Sequence, residues 1–179
     1  MLKLTIPSIE MYDEVLEEFI VTRKHTIKLI HSLVSISKWE SKWNKVFLSK
    51  DKKTVEETID YVRCMTITQN VPPEVYDRLT NDNIKSINEY IEAPMTATVI
   101  NSKDNKTSSE VITSEVIYHW MISLNIPFEC QKWHLNRLLT LINVCNIKNQ
   151  PTKKMSRREI LNRNKVLNEQ RRNKLNTRG

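Results

Sequence analysis

Two residue pairs have the types and the spacing of possible metal ligands. Cys130 and His134 are four residues apart, and Glu115 and His119 repeat that spacing. On a helix each pair would share one face, and zinc accepts thiolate, imidazole and carboxylate ligands. Structural zinc sites usually carry CxxC or HxxxH motifs, which this sequence lacks, and pairs four residues apart often arise by chance. We therefore interpret all four as ordinary core or surface residues and predict no metal ligand and no cofactor.

The same cysteines could supply a nucleophile. A Cys–His pair at Cys130 or Cys145 would need an orienting acid and an oxyanion hole, and neither is recognisable. Cys145 falls on an apolar helical stripe, where a thiol usually behaves as a small hydrophobe. The acids Glu56, Glu57 and Asp60 share a predicted helix and are interpreted as its solvent-facing side. We predict no catalytic residue and no enzymatic activity.

Glycine is almost absent, since the chain contains only Gly179. Phosphate-binding loops, dinucleotide-binding loops and GxSxG nucleophile elbows need glycine where the backbone approaches a ligand or turns sharply. The sequence therefore excludes these sites. Turns that need a positive φ must use Asn or Asp instead.

The composition is typical of a globular protein. A length of 179 residues suggests one domain, and 39% apolar with 27% charged residues favours a folded chain. No apolar run approaches the roughly 18 residues of a membrane span. Residues 1–10 lack a signal-peptide pattern, so we expect no membrane association. Three cysteines without a CxxC motif favour reduced thiols in a cytoplasm.

The positive charge is confined to the C-terminal end. The net charge is +7, yet residues 153–179 carry ten Lys or Arg and two acids, which gives +8. Residues 1–152 therefore have a net charge of −1. We predict a globular body over residues 1–150 and a basic tail over residues 151–179, helical or partly disordered, with the boundary near Pro151.

The pattern of apolar residues predicts a mostly helical α+β fold. Short apolar runs at Leu2–Ile6, Phe19–Val21 and Ile27–Leu29 predict a small N-terminal antiparallel sheet, with residues 10–18 as a loop or an extended hairpin connection. β-branched residues at 96–100 and 111–113 predict an inserted β-hairpin, whose polar tip is 101–110. Six helices are predicted in the body. An apolar stripe predicts the first, from Leu33 to Phe47, and a capping box of Thr54 and Glu57 begins the second. The others are Glu74–Leu79, Asn83–Ile91, a helix that Ser114 caps, and a last helix through Leu135 and Cys145.

Four tryptophans could stack on nucleic-acid bases, but a structural role is the better interpretation. Trp39, Trp43 and Trp120 fall on apolar stripes, where aromatic residues mostly fill cores. The position of Trp133 is less clear, because the segment from Phe128 could cover a helix end.

The tail has the features of a helix that orders on a partner. Ser156 and Glu159 form a possible capping box, but the apolar residues are sparse, and isolated helices of this length are marginal in water. Docking on an acidic or amphipathic protein and a solubilising extension are equally open interpretations. Nucleic-acid binding ranks behind both, because the tail has no aromatic residue for stacking. The candidate docking residues are Lys153, Lys154, Arg157, Arg158, Ile160, Leu161, Arg163, Leu167, Arg171, Arg172 and Leu175.

Four segments carry a resemblance to a known group of proteins. They are SKWESKW at 37–43, MTITQN at 65–70, IYHWMISLNIPFECQKWHLNRLL at 117–139, and the tail at 153–179. The chain resembles small proteins of tailed bacteriophages that are taken to be tail assembly chaperones. The resemblance spans nearly the whole chain. It provides no site residue, because none of the matching motifs is catalytic.

The resemblance implies a function in building a long phage tail. Such chaperones are thought to bind the tape measure protein in the host cell cytoplasm before tail-tube subunits polymerise, and they are usually absent from the mature virion. Some families also make a longer product by ribosomal frameshift. Three alternatives remain open: a virion structural protein of the head–tail junction or tail, a nucleic-acid-binding accessory protein, and a metal-dependent enzyme. Self-association into a homo-oligomer is also open.

Overall fold

The computed structural model describes residues 1–8, 10–13, 18–21, 23–100, 111–149 and 156–176. Seven α-helices lie within these residues. They are α1 (Leu33–Trp43), α2 (Val55–Met65), α3 (Glu74–Asp77), α4 (Asn81–Glu92), α5 (Ser114–Ser123), α6 (Leu135–Asn149) and α7 (Arg157–Leu175). A short 3-10 helix, Phe128–Lys132, precedes α6. The mostly helical α+β prediction is confirmed.

The N-terminal sheet pairs the first and last of four strands. β1 (Leu2–Ile6) runs antiparallel to β4 (His25–Leu29), with Leu4 opposite Ile27. Because side chains alternate along a strand, the apolar residues of both strands enter the core while the intervening Lys and Thr residues face outward. The predicted small antiparallel sheet is confirmed here.

The segment between these strands forms a separate hairpin. β2 (Glu10–Asp13) pairs antiparallel with β3 (Glu18–Val21), so that Glu10 lies opposite Val21. The apolar run at 19–21 is a strand, as predicted, but its partner is the acidic segment that was expected to be a loop or hairpin connection. The four strands thus form two separate two-stranded sheets.

Side-chain caps fix where several helices begin. Thr54 and Glu57 form the predicted capping box of α2, and Ser156 and Glu159 form that of α7. At α5 the prediction is wrong by one residue: Thr113 is the cap, and Ser114 is the first helical residue. Ser114 is buried, and its backbone N–H donates a hydrogen bond to the Glu40 carboxylate of α1.

The end of α1 also differs from the prediction. The apolar stripe extends to Phe47, but Asn44 adopts a left-handed conformation at φ 51° and ends the helix after Trp43. Asn tolerates this region better than most residues, as expected for a chain with one glycine. Phe47 still joins the core from the following loop, because its ring lies 4.0 Å from that of Tyr61 between centroids.

The predicted inserted β-hairpin does not form. Residues 96–100 and 111–113 contain no strand, and the predicted tip at 101–110 lies outside the described residues. Val99 and Val111 are exposed, and the other β-branched residues described here are at most half-buried, so strand pairing would cover little apolar surface. The Thr96 hydroxyl accepts a hydrogen bond from the Thr98 N–H, a local contact that competes with a sheet ladder.

The core lies between the sheet, α1, α5 and α6. Ile36 and Trp39 of α1, Met121 of α5 and Leu138 of α6 are almost fully buried. The Trp39 indole N–H donates to the backbone carbonyl of Glu57 at 2.8 Å, which joins α1 to α2. The core assignment of Trp39 is confirmed, and the other three tryptophans pack against this core in half-buried positions.

The chain divides into two compact units, Met1–Ile147 and Lys148–Gly179. We call them the first unit and the second unit, and the second unit contains α7. The predicted boundary near Pro151 lies outside the described residues and stays a prediction.

Candidate functional site

Helix α7 is the element on which the predicted docking residues lie. Every residue of α7 is exposed, including the apolar ones, from 38% for Leu167 to 69% for Leu175. Lys153 and Lys154 belong to the same prediction but lie outside the described residues. The other nine predicted docking residues all belong to this helix.

The helical period gives α7 one mixed apolar and basic face. At about 100° per residue, Ile160 and Leu167 lie on nearly the same side, and Arg163 and Arg171 lie beside them. Arg157 and Leu175 lie at the edge of this face, about 60° from Ile160, whereas Leu161, Arg172 and Arg158 lie about 100°, 120° and 160° from it. The periodicity therefore brings together only part of the predicted set.

Val166 is the exposed apolar residue of α7 that the docking prediction omits. It lies about 120° from Ile160 around the helix, on a different face. This position makes Val166 a natural control for the face that contains Ile160.

The caps show that the sequence of α7 specifies its own ends. The Ser156 hydroxyl accepts from the Glu159 N–H at 3.3 Å, and the Glu159 carboxylate accepts from the Ser156 N–H at 2.8 Å. Hydrogen bonding of the Glu159 carboxyl by the Ser156 backbone N–H, and then by the Ser156 side chain, lowers the pKa of Glu159. Asn176, at φ 51°, ends the helix, and Arg172 and Lys174 complement the negative end of its dipole.

The charge of α7 selects the kind of surface it can meet. From Ser156 to Asn176 there are seven basic and two acidic residues, which gives a net charge of +5. The apolar side chains are too few to form a core, yet they lie among arginines that can bind carboxylates through two hydrogen bonds. The helix is suited to an acidic surface that also offers apolar contacts.

The possible metal ligands do not share the geometry that the spacing suggested. Cys130 belongs to the 3-10 helix and His134 precedes α6, so they are not on one α-helix. Glu115 and His119 do share α5. Among the described residues, no group of three or more His, Cys, Asp or Glu could hold a metal ion.

The acids of α2 were predicted to face solvent, and for two of them this is wrong. Glu57 and Asp60 are buried, whereas Glu56 is exposed. Lys45 donates to Glu57 at 2.5 Å, and Lys42 forms an ion pair with Asp60. The hydrogen bond from Lys45, followed by one from the Thr54 backbone, lowers the pKa of Glu57.

Asp60 shows how burial and pairing compete. Burial alone would raise the pKa of this carboxyl, but hydrogen bonds from Lys42 and from the Trp43 indole outweigh it, so the pKa is lowered. Both acids therefore fasten α2 to α1 and its following loop as ionised, fully bonded groups. This bonding gives them a structural role.

A buried polar cluster at the centre of the first unit was not predicted from the sequence. The Nδ1 atom of His31 lies 2.5 Å from the Tyr61 hydroxyl, and the His31 and His134 rings are 5.1 Å apart between centroids. The Nε2 atom of His134 donates to the Tyr90 carbonyl at 2.9 Å. The signal that could have shown this is the position of His31 inside the apolar run from Ile27 to Leu33.

Burial keeps this cluster uncharged. His31 and His134 are 2% and 9% exposed. Burial and then the neighbouring His134 lower the pKa of His31 to about 4, and burial lowers the pKa of His134. Burial raises the pKa of Tyr61 above its ordinary value. The cluster joins the β4–α1 junction to α2, α4 and α6, and its inaccessibility to a substrate favours a structural role.

The chain matches no protein-family model, no curated protein and no solved structure. The resemblance to tail assembly chaperones is untested by these comparisons and stays a prediction. None of the described helices combines the length and the apolar character that a membrane crossing requires.

Proposed function

We propose that the protein is a non-enzymatic binding protein whose helix α7 docks on an acidic, amphipathic partner. The observation that supports this most strongly is the complete exposure of α7, which presents Ile160 and Leu167 to solvent between arginines. A free helix of this length is marginal in water. Contact with a partner would supply the packing that the helix lacks.

The specific form of the proposal comes from the resemblance to phage tail assembly chaperones. In that form the partner is the tape measure protein, a very long helical protein, and binding occurs in the host cell cytoplasm during tail morphogenesis. An amphipathic helix exposed before assembly would aggregate unless covered. Helix-against-helix packing by α7, with arginines beside the apolar stripe, could cover it reversibly.

Co-expression with the tape measure protein of the same phage tests this proposal. We expect the two proteins to co-purify and the tape measure protein to become more soluble. The variant Ile160→Glu/Leu167→Glu should lose co-purification because it places charges on the docking face. Val166→Glu changes a residue on another face of the same helix and should retain it.

Two outcomes would contradict the proposal. One is a wild-type chain that neither co-purifies with the tape measure protein nor changes its solubility. The other is stoichiometric presence of the chain in purified particles, measured by mass spectrometry, which would favour a virion structural protein.

Nucleic-acid binding is a second candidate, favoured by the seven basic side chains of α7. Phosphate neutralisation would make affinity fall steeply with salt, independently of sequence. A gel-shift titration of the full chain over salt concentration distinguishes the candidates. Absence of a shift at low salt eliminates this function, whereas a shift that Ile160→Glu/Leu167→Glu leaves intact but Arg163→Glu/Arg171→Glu removes would support it.

A further inference from the structure

The first unit has an apolar groove beside α1, between α1 and the end of α2. Its floor is the buried pair Ser35 and Met65, and its walls are formed by Val34, Cys64 and Ile67. The groove has a volume of about 220 Å³. This is below the about 300–1,000 Å³ of small-molecule pockets, so the groove is better suited to a side chain projecting from a partner.

The backbone and hydroxyl groups around the groove already have partners. The Ser35 hydroxyl donates to the Ser32 carbonyl at 2.7 Å, and the Thr66 hydroxyl donates to the Val62 carbonyl at 2.8 Å. The Ile67 N–H donates to the Lys28 carbonyl at 2.9 Å. A bound side chain would therefore contact a mainly apolar surface and would not need to supply hydrogen bonds to these groups.

The charges at the rim of the groove have one sign. Lys38 of α1 and Lys132 of the 3-10 helix line it, and no carboxylate does. Both lysines are exposed, and neither forms an ion pair with any residue in the described part of the chain. Asp60, whose charge helps to raise the pKa of Cys64, is bound by Lys42 and Trp43 and does not line this groove.

We propose that this groove is a second docking site, which receives an apolar side chain from an acidic helix of the partner. The inference rests on the proposed function, because it assigns a further contact to the same acidic, amphipathic partner. Lys38 and Lys132 would bind carboxylates on either side of the inserted side chain. A basic segment would be repelled by the same two lysines, so charge complementarity selects an acidic occupant.

The position of Cys64 in the groove wall provides a local measurement. Helix α7 also attracts acidic peptides, so total binding does not separate the two sites. Alkylation of Cys64 reports only on the groove, and the half-buried Cys145 of α6 serves as an internal reference. Burial raises the pKa of the Cys64 thiol, so the reaction is followed at mildly alkaline pH.

The probe is a helical peptide of Leu and Glu, added to the full-length chain, with a Leu and Lys peptide as its control. We expect the acidic peptide to slow alkylation of Cys64 about tenfold at saturation and to leave Cys145 unchanged. The double variant Lys38→Glu/Lys132→Glu should lose this protection. Lys85→Glu, an exposed charge reversal on α4, should retain it.

The ratio of rates with and without peptide is compared within each variant, because Lys38 itself affects the Cys64 pKa. The inference is overturned if the acidic peptide leaves the Cys64 rate unchanged in the wild-type chain. It is also overturned if protection survives in Lys38→Glu/Lys132→Glu. Neither result contradicts the proposed function, provided that co-purification with the tape measure protein still depends on Ile160 and Leu167.

Discussion

The Nδ1 atom of His31 and the hydroxyl of Tyr61 share a 2.5 Å hydrogen bond at the centre of the first unit. His31 lies in the short segment between β4 and α1, and Tyr61 belongs to α2, so this bond ties the sheet to the helices. Its partners are 2% and 3% exposed. A polar contact so deeply buried makes stability depend on both side chains.

Acidification should destabilise the first unit through His31. Its pKa is about 4 in the folded chain against an ordinary 6.5, so between these values the unfolded chain binds more protons. Above pH 6.5, His31 is neutral in the folded and the unfolded chain, and its burial does not lower the free energy of unfolding. As the pH falls towards 4, protonation of the unfolded chain lowers the free energy of unfolding by about 3 kcal/mol. Urea unfolding at pH 7 and pH 5 covers the upper part of this range, where the free energy of unfolding should fall by about 2 kcal/mol. His31→Gln should weaken this dependence and leave the part due to His134, whereas the exposed His119→Gln should preserve it in full.

Tyr61→Phe should lower the free energy of unfolding by about 1–3 kcal/mol, because it leaves a buried imidazole nitrogen without its partner. Tyr118 provides the matched control. Its hydroxyl donates to Gln131 at 2.9 Å in a half-buried position, where water can replace the lost group. Tyr118→Phe should therefore cost less. Equal losses in chemical denaturation of the two variants would contradict the structural role of the His31–Tyr61 contact.

Glu40 should stabilise the junction between α1 and α5. Its carboxylate accepts from the Phe47 N–H and from the Ser114 N–H, both at 2.8 Å, and is buried. Glu40→Ala would leave both donors unsatisfied and should cost about 2–4 kcal/mol in urea unfolding. Glu56→Ala, at an exposed acid of α2, should change stability by less than about 0.5 kcal/mol. A Glu40→Ala chain of wild-type stability would refute this role.

Helix α7 should be dispensable for the stability of the first unit. Asn168→Pro removes a backbone donor in the middle of α7 and should cost about 3 kcal/mol of helix stability. Because α7 buries no residue, the unfolding midpoint of the first unit should stay unchanged. Circular dichroism measures the lost helicity, and tryptophan fluorescence follows the unit that contains all four tryptophans. A shifted fluorescence midpoint would contradict the prediction.

Local signals in the sequence predicted some parts of this structure and missed others. The capping boxes at Thr54 and Ser156 and the alternation from Leu2 to Ile6 depend on neighbours within a few residues, and these predictions are confirmed. The hairpin at 96–113 failed because β-branched residues predict a strand only where a face is buried. The burial of Glu57 depends on Lys45, twelve residues away.

The candidate functional residues also divide into those that local sequence signals predict and those that depend on tertiary packing. The docking residues of α7 could be proposed from the sequence, because charge and helical period are local properties. The groove at Cys64 could not, because its lining comes from α1, the end of α2 and the 3-10 helix, which only tertiary packing brings together. The buried His31–His134 pair is likewise separated by about a hundred residues of sequence.

Amide hydrogen exchange across α7 tests the central claim most directly. The full-length chain is measured alone and in complex with the co-expressed tape measure protein. We predict fast exchange at 157–175 in the free chain, because no residue of the helix is buried, and strong protection of the same amides in the complex. A complex in which 157–175 exchanges as fast as in the free chain would contradict docking through α7.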